Sequence, residues 1–403
     1  MTNSLSFNAY ASFALAVLVL SIGQQILKRV HILRHYHIPA PIIGGIVLAV
    51  FATLLHQNGT TLNFALPLKT PFMLMFFASV GFSANLALLR QGGKTLIAFL
   101  FCATLFIVFQ DVVGIGMAEA LGLDPLLGLL AGSITLSGGH GTGAAWADIF
   151  ADDFHINNAL EIAMACATFG LVVGGILGGP LGNRLIQKHS LASEENASVS
   201  EKKTTTKTVA PSRKMKPKVI SFGILLVTGL LAQYAFEHIS ALDNPVLKFV
   251  PNFVYAIAFG VIVGNIPFTR KKLSPIAFDI GQVGGISLGL FLAMALMELK
   301  LWNLLSLATP LLVILFSQLL FTILFVYWIT FRVMGQNYDA AVMSAGHVGF
   351  GMGATPTAMM NLNTITSHYG ASTKAYFVVP LVGAFFIDIV NLVIIQAYIA
   401  VLG

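Results

Sequence analysis

Ten stretches of this chain run for about 17 to 28 residues with almost no charge, near 9–27, 40–56, 71–89, 95–118, 157–182, 219–236, 249–266, 276–297, 304–331 and 374–401. About 20 apolar residues suffice for a helix to cross the hydrocarbon core of a bilayer. Each stretch therefore reads as a membrane span, and the chain as an all-α polytopic membrane protein. Of the 403 residues, 57% are hydrophobic and only 9% are charged. A soluble domain carries about 25% charged residues, so lipid must be the solvent for most of this chain. The net charge of +6 would suggest nucleic acid in a soluble protein. Here the basic residues flank apolar spans, which points to membrane orientation and to lipid as the partner. Cys102 and Cys166 lie inside apolar stretches and offer neither a disulfide framework nor a metal spacing.

The positive-inside rule tests the span map. With the N-terminus outside and ten crossings, only Lys69, Lys248 and Lys300 fall outside, and the remaining 19 of the 22 Lys and Arg fall inside. Both termini are then outside. Residues 183–218, rich in Lys, Ser, Thr and Glu, form a flexible cytoplasmic linker. That linker divides a first repeat, 1–182, from a second, 219–403.

Two further Gly-rich apolar stretches lie near 125–150 and 339–363. The first reads Ser137-Gly138-Gly139-His140-Gly141-Thr142-Gly143-Ala144, and the second Ser344-Ala345-Gly346-His347-Val348-Gly349-Phe350-Gly351-Met352-Gly353-Ala354. Both contain Ser-small-Gly-His followed by alternating glycines, and each is preceded by an aspartate, Asp124 or Asp339. Each is expected to be a re-entrant hairpin, the first outside and the second inside. Five spans per half is an odd number, so consecutive halves must point in opposite directions. That inverted-repeat arrangement belongs to secondary transporters, whose sites lie near the bilayer midplane. Glycine permits close approach of a ligand to backbone. Half-helix N-termini suit a carboxylate, and unwound carbonyls suit Na⁺. Tight helix packing is the competing reading of the same glycines. No Gly-Lys-Ser/Thr follows them, against a phosphate loop.

At these residues the chain resembles the bacterial glutamate:sodium symporter family. The resemblance rests on Leu136 to Trp146, on Ala345 to Thr357, and on Val382-Gly383-Ala384-Phe385-Phe386-Ile387-Asp388-Ile389-Val390-Asn391. Residues 138–143 fit the family's Gly-Gly-x-Gly-x-Gly motif, whereas 346–351 carry His at its second position. The resemblance implies Na⁺-coupled uptake of L-glutamate by a homodimer in the bacterial inner membrane. It implies an elevator-like moving domain that carries both hairpins, with no enzymatic activity and no cofactor beyond the coupling ion. Glutamate enters as a net anion, at a cost of about 2.3 kcal/mol per 100 mV of inside-negative potential. One Na⁺ makes the step neutral and a second makes the potential drive it inward.

The expected substrate-binding set is Ser137, Gly138, Gly139, His140, Gly141, Thr142, Gly143, Ser344, Gly346, His347, Gly349, Gly351, Gly353, Thr355 and Thr357. The hydroxyls among these either bind ligand or satisfy broken-helix carbonyls. His140 and His347 either carry protons or orient the hairpins as neutral rings. Asp388, deep in the last span, is expected to bind Na⁺ with Asn391 one helical turn on, because a central Asp costs about 2.5–3.5 kcal/mol on insertion scales and should face protein or water. Asn85 is a weaker candidate for the same ion. Asp111 lines the pathway, faces a partner subunit or is structural. Glu161 and Asp279 are expected to be solvated or interfacial, and Trp146 and Trp302 to anchor at the interface. A transporter of another small organic anion and a cation/proton antiporter are the nearest rival readings, but the antiporter usually needs a paired carboxylate or Asp–Lys at the crossing. A channel and an intramembrane protease are weaker alternatives, the latter without a dyad on separate helices.

Overall fold

The computed structural model describes residues 3–35, 38–83, 93–156, 158–193, 215–240, 250–266, 276–300 and 308–402. They are almost entirely helical. The helices are α1 (Ala9–Arg29), α2 (Ala40–Gln57), α3 (Lys69–Ser83), α4 (Gly93–Ala120), α5 (Pro125–Leu129), α6 (Gly139–Asp152), α7 (Ala159–His189), α8 (Met215–Ser240), α9 (Asn252–Asn265), α10 (Ala277–Met297), α11 (Ala308–Phe325), α12 (Tyr338–Gly351), α13 (Thr355–Tyr369), α14 (Thr373–Leu381) and α15 (Ile387–Leu402).

Seven helices among the described residues are long and apolar enough to cross a membrane, and the pair α14 and α15, bent by 42°, makes an eighth if counted as one span. The chain is thus a multi-pass membrane protein. The third and seventh stretches of the sequence map appear as helices of 15 and 14 residues, α3 and α9. Helix α7 continues to His189, past residue 183, the expected start of the linker. Residues 194–214 of that linker, Asn85 and Trp302 lie outside the described residues.

One element departs from an all-α chain. Strands β1 (Asn3–Phe7) and β2 (Thr60–Phe64) pair in parallel, Asn3 opposite Thr60 through Phe7 opposite Phe64. Leu5 and Phe7 alternate with polar residues, as do Leu62 and Phe64, which is the period of a strand. The Phe7 and Phe64 rings stack at 5.3 Å.

The helices pack as two groups. Helices α1, α2, α3, α8, α9 and α10 contact one another closely, with α3 and α10 central. Helices α4 to α7 and α11 to α15 form the other group, in which α4 packs on α11 and α7 lies against α12 and α13. The groups meet chiefly where α6 touches α10 and where the π-turn Val382–Phe386 touches α3. Small residues set the closest approaches in the first group, as expected in a solvent that gives no hydrophobic drive to helix association. A Cβ on Gly81 of α3 would fall 2.2 Å from the Ile257 carbonyl oxygen of α9, and one on Gly260 would fall 2.3 Å from that of Ala78.

Candidate functional site

Two helical hairpins form the centre of the second group. In the first, α5 runs into a π-turn, Leu130–Ile134, broken at Gly132, whose φ and ψ of −98° and −131° are not helical. The chain then turns at Ser137 and Gly138 into α6. In the second, Met352 to Ala354 join α12 to α13, and the two helices pack against each other. Asp124 caps the first hairpin by accepting from the Leu126 N–H, and Asn337 caps the second by accepting from Ala340 N–H.

The tips of the hairpins meet. Gly139 has a φ of +70°, a conformation glycine adopts without steric cost, and a Cβ there would stand 3.6 Å from the Gly353 carbonyl oxygen. Ser137 Oγ lies 2.7 Å from Gln110 Oε1 and 3.2 Å from the Gly351 carbonyl oxygen, to which Gln110 Nε2 also donates at 3.0 Å. Helices α6 and α13 both begin at these tips, and neither N-terminus has a side-chain cap. The first N–H groups of a helix lack intrahelical partners and carry the positive end of its dipole.

The break at Gly132 is held from two sides. The Asp111 carboxylate, on α4 and fully buried, accepts from Ser133 N–H at 2.8 Å and from Ser133 Oγ at 2.9 Å. Asn391 Nδ2 of α15 donates to the Ser133 carbonyl oxygen at 3.0 Å, and Asn391 Oδ1 is buried without a partner. Asp388 is one turn earlier on α15 and half-buried. The alternatives for Asp111 thus narrow: its carboxylate faces the first hairpin of its own chain.

The remaining candidates divide by surroundings. Thr355 Oγ1 donates to the Gly383 carbonyl at 2.7 Å. Ser344 Oγ and Thr357 Oγ1 are buried without hydrogen-bond partners. Thr142 is half-buried beside the tip, its Cβ 2.8 Å from where a Gly138 Cβ would stand. His140 Nε2 is 3.0 Å from Thr168 Oγ1 of α7. His347 is enclosed by Phe99, Phe106 and Phe350, with Nδ1 2.9 Å from Thr330 Oγ1 and Nε2 unpartnered. Gly143, Gly346 and Gly349 face neighbouring side chains or backbone: Thr135, Leu362 with Val379, and Ala358 respectively. Gly141 faces Phe76 and Leu288 of the other helix group, and Gly351 faces Phe106.

Three expectations need correction. Trp146 is fully buried, packed edge-on against Phe253 at 5.6 Å, so it fills the contact between helix groups instead of anchoring at an interface. Glu161 is buried, its carboxylate accepting from the Lys300 N–H at 2.7 Å. Asp279, near the start of α10, is buried as well. Proximity to a span end placed both in water or at the interface, but tertiary packing covers those ends.

The sequence reading passed over Gln110, Ser133, Gln318 and Asn361. Gln110 and Gln318 are fully buried polar residues in the middle of apolar helices, and Gln318 Nε2 donates to the Gln110 carbonyl at 2.8 Å. Asn361 Nδ2 donates to the carbonyls of Gly174 and Ala345, tying α13 to α7 and α12. A polar amide at mid-span was the available signal, since each costs several kcal/mol in lipid unless it is satisfied by protein. No cluster of three His, Cys, Asp or Glu side chains suited to a metal occurs among the described residues.

Comparisons with known proteins show what the chain is similar to. A family model described as Sodium/glutamate symporter matches residues 5–371. A sodium/glutamate symporter of Haemophilus influenzae is 44% identical over 99% of both chains, and one of Escherichia coli K12 is 44% identical over 96% of both. A solved sodium proton antiporter of Methanocaldococcus jannaschii, MjNhaP1, aligns over 97% of both chains at 12% identity with a TM-score of 0.29, too slight a likeness to bear on fold or mechanism. A match across nearly the whole length, to the family model and to relatives alike, places this chain in the sodium/glutamate symporter family.

Proposed function

We propose that this protein carries L-glutamate into the cytoplasm together with Na⁺, across a bacterial inner membrane, by alternating access. The observation that carries this reading is the meeting of two uncapped helix N-termini at the hairpin tips, α6 at Gly139 and α13 at Thr355. Backbone N–H groups and positive dipole ends converge there, which suits a dicarboxylate in a region without a deep Lys or Arg. The hydroxyls of Ser137, Thr142, Thr355 and Thr357, with Ser344 behind them, supply further polar contacts. Na⁺ takes oxygen ligands, and the half-buried Asp388, the unpartnered Asn391 Oδ1 and backbone carbonyls at the Gly132 break offer such oxygens on these elements. A carboxylate at that place attracts the cation and would repel the substrate.

The two helix groups support an elevator-like motion. The hairpin group holds both tips and packs on itself more closely than on the six-helix group. The packing also repeats across the halves. Helix α1 contacts α2 and α10, while its counterpart five spans later, α8, contacts α9 and α3. This exchange of partners fits ten spans in two inverted repeats, with termini outside, the linker cytoplasmic and re-entrant hairpins on opposite faces. Assembly as a homodimer belongs to the same reading.

Thermal melting of the purified protein tests the site. A ligand at a hundred times its dissociation constant stabilises by about 2.7 kcal/mol. Glutamate should raise the melting temperature in Na⁺ and leave it unchanged in K⁺. Equal shifts in both salts would contradict coupling, and no shift in either would contradict glutamate as the ligand.

A further inference from the structure

Gln110 lies midway along α4, fully buried, and its side-chain amide is divided between the two hairpins. Oε1 accepts from Ser137 Oγ of the first hairpin at 2.7 Å, and Nε2 donates to the Gly351 carbonyl of the second at 3.0 Å. The Gly351 carbonyl can only accept, so Nε2 must face it, and Oε1 then takes the single hydrogen of the Ser137 hydroxyl. The Gln110 backbone carbonyl accepts from Gln318 Nε2 of α11 at 2.8 Å, which holds α4 at this level. Thr322, one turn beyond Gln318, donates to the Gln318 carbonyl at 2.8 Å, and its oxygen lies 3.1 Å from the Met352 sulfur, beside Gly351. The amide thus has an acceptor on one tip and a donor on the other, and it is fully buried.

The geometry points to Gln110 as a positioning residue for coupled transport: it clasps the two hairpin tips together, so that they hold one shape and move as one unit. Two tips that moved apart would leave an ion site formed by one hairpin while the substrate site, which needs both, was lost. Ion could then cross without substrate. The inference rests on the reading that ion and substrate bind at the tips.

The test uses full-length protein in proteoliposomes, with glutamate uptake, ²²Na⁺ flux without glutamate and thermal melting measured on each variant. Gln110→Leu removes both arms of the clasp. Gln110→Glu keeps the acceptor for Ser137 and sets an oxygen against the Gly351 carbonyl, so it breaks only the second arm. Gln110→Glu should raise the half-saturating glutamate concentration about tenfold, the scale of one broken buried hydrogen bond, Gln110→Leu should raise it further, and both should pass Na⁺ without glutamate. Ser137→Ala should act in the same direction, and combining it with Gln110→Leu should add little, because the two share one interaction. A lower melting temperature with unchanged half-saturation and no uncoupled Na⁺ flux would overturn the clasp and leave Gln110 a packing residue. If Gln110→Leu failed to insert, Ser137→Ala with wild-type half-saturation and tight coupling would overturn it equally. Wild-type vesicles without Na⁺-driven uptake would sink the transport reading itself, whereas variants that match a working wild type would sink only the clasp.

Discussion

Lys69 Nζ stands 2.9 Å from Asp148 Oδ1, and this ion pair joins the six-helix group to the hairpin group. Lys69 begins α3, Asp148 lies on α6, and Glu298, just past α10, contacts the same ammonium at 3.1 Å. Burial alone would lower the Lys69 ammonium, but the two carboxylates more than offset it and hold it above the usual lysine range. The charged lysine is therefore lost only as pH climbs past that raised value. If the groups slide past each other, this pair must break in every cycle. Cysteines at 69 and 148, joined by a short bifunctional thiol reagent, should arrest uptake, and each single cysteine treated alike should not. The native Cys102 and Cys166 are buried, which keeps the background low. Full uptake by the joined protein would contradict the sliding motion.

Gly132→Ala should disable transport through the break in the first hairpin. A Cβ there would fall 2.7 Å from Asp111 Oδ1, inside contact distance. The carboxylate must shift and release Ser133, at a cost of about 1–3 kcal/mol. A lowered melting temperature and reduced maximal uptake are expected. Wild-type values for both would show that the Asp111–Ser133 contact carries no weight.

Bulk at Gly141 should block uptake for a reason that the sequence did not supply. The motif suggested access of ligand to backbone, yet Gly141 faces Phe76 and Leu288 across the contact between helix groups, 3.0 and 3.1 Å from its would-be Cβ. Gly141→Leu should therefore slow maximal transport while glutamate still stabilises the protein against heat. Loss of that stabilisation with the fold intact would return Gly141 to the binding site.

Much of the fold was legible because lipid imposes a plain rule: spans must be apolar and about 20 residues long. Ser-small-Gly-His marks the turn into α6, but its second copy, Ser344 to His347, lies inside α12 and not at the turn that follows it. Side-chain direction was not legible. His347 carries the same motif position as His140, but one sits in a cage of phenylalanines and the other beside Thr168. The strand pair was hidden because five-residue alternation at 3–7 is weak beside the apolar run that follows it. Trp146 reads as an interfacial anchor by residue type, and only the approach of α9 puts Phe253 against its ring.

Topology has a direct test in whole cells with an impermeant thiol reagent. Ser200→Cys, in the linker, should be protected, and Val401→Cys, exposed near the C-terminus, should be labelled. The reverse pattern would overturn the orientation drawn from the sorting of Lys and Arg.

Asp388→Asn keeps the shape of the side chain and removes its charge. It should raise the Na⁺ concentration for half-maximal uptake, with far less change in glutamate affinity at saturating Na⁺, because low Na⁺ would blur the two through linkage. An unchanged Na⁺ dependence would make Asp388 structural and move the ion site to the carbonyls around Gly132 and to Asp111.

The central claim is Na⁺-driven glutamate uptake by this chain, and uptake of labelled glutamate into proteoliposomes under imposed gradients tests it most directly. An inward Na⁺ gradient at zero voltage and equal pH should drive accumulation above the outside concentration, and an added inside-negative potential should not oppose it. Accumulation driven by a proton gradient without Na⁺, or none under any gradient, would contradict the account.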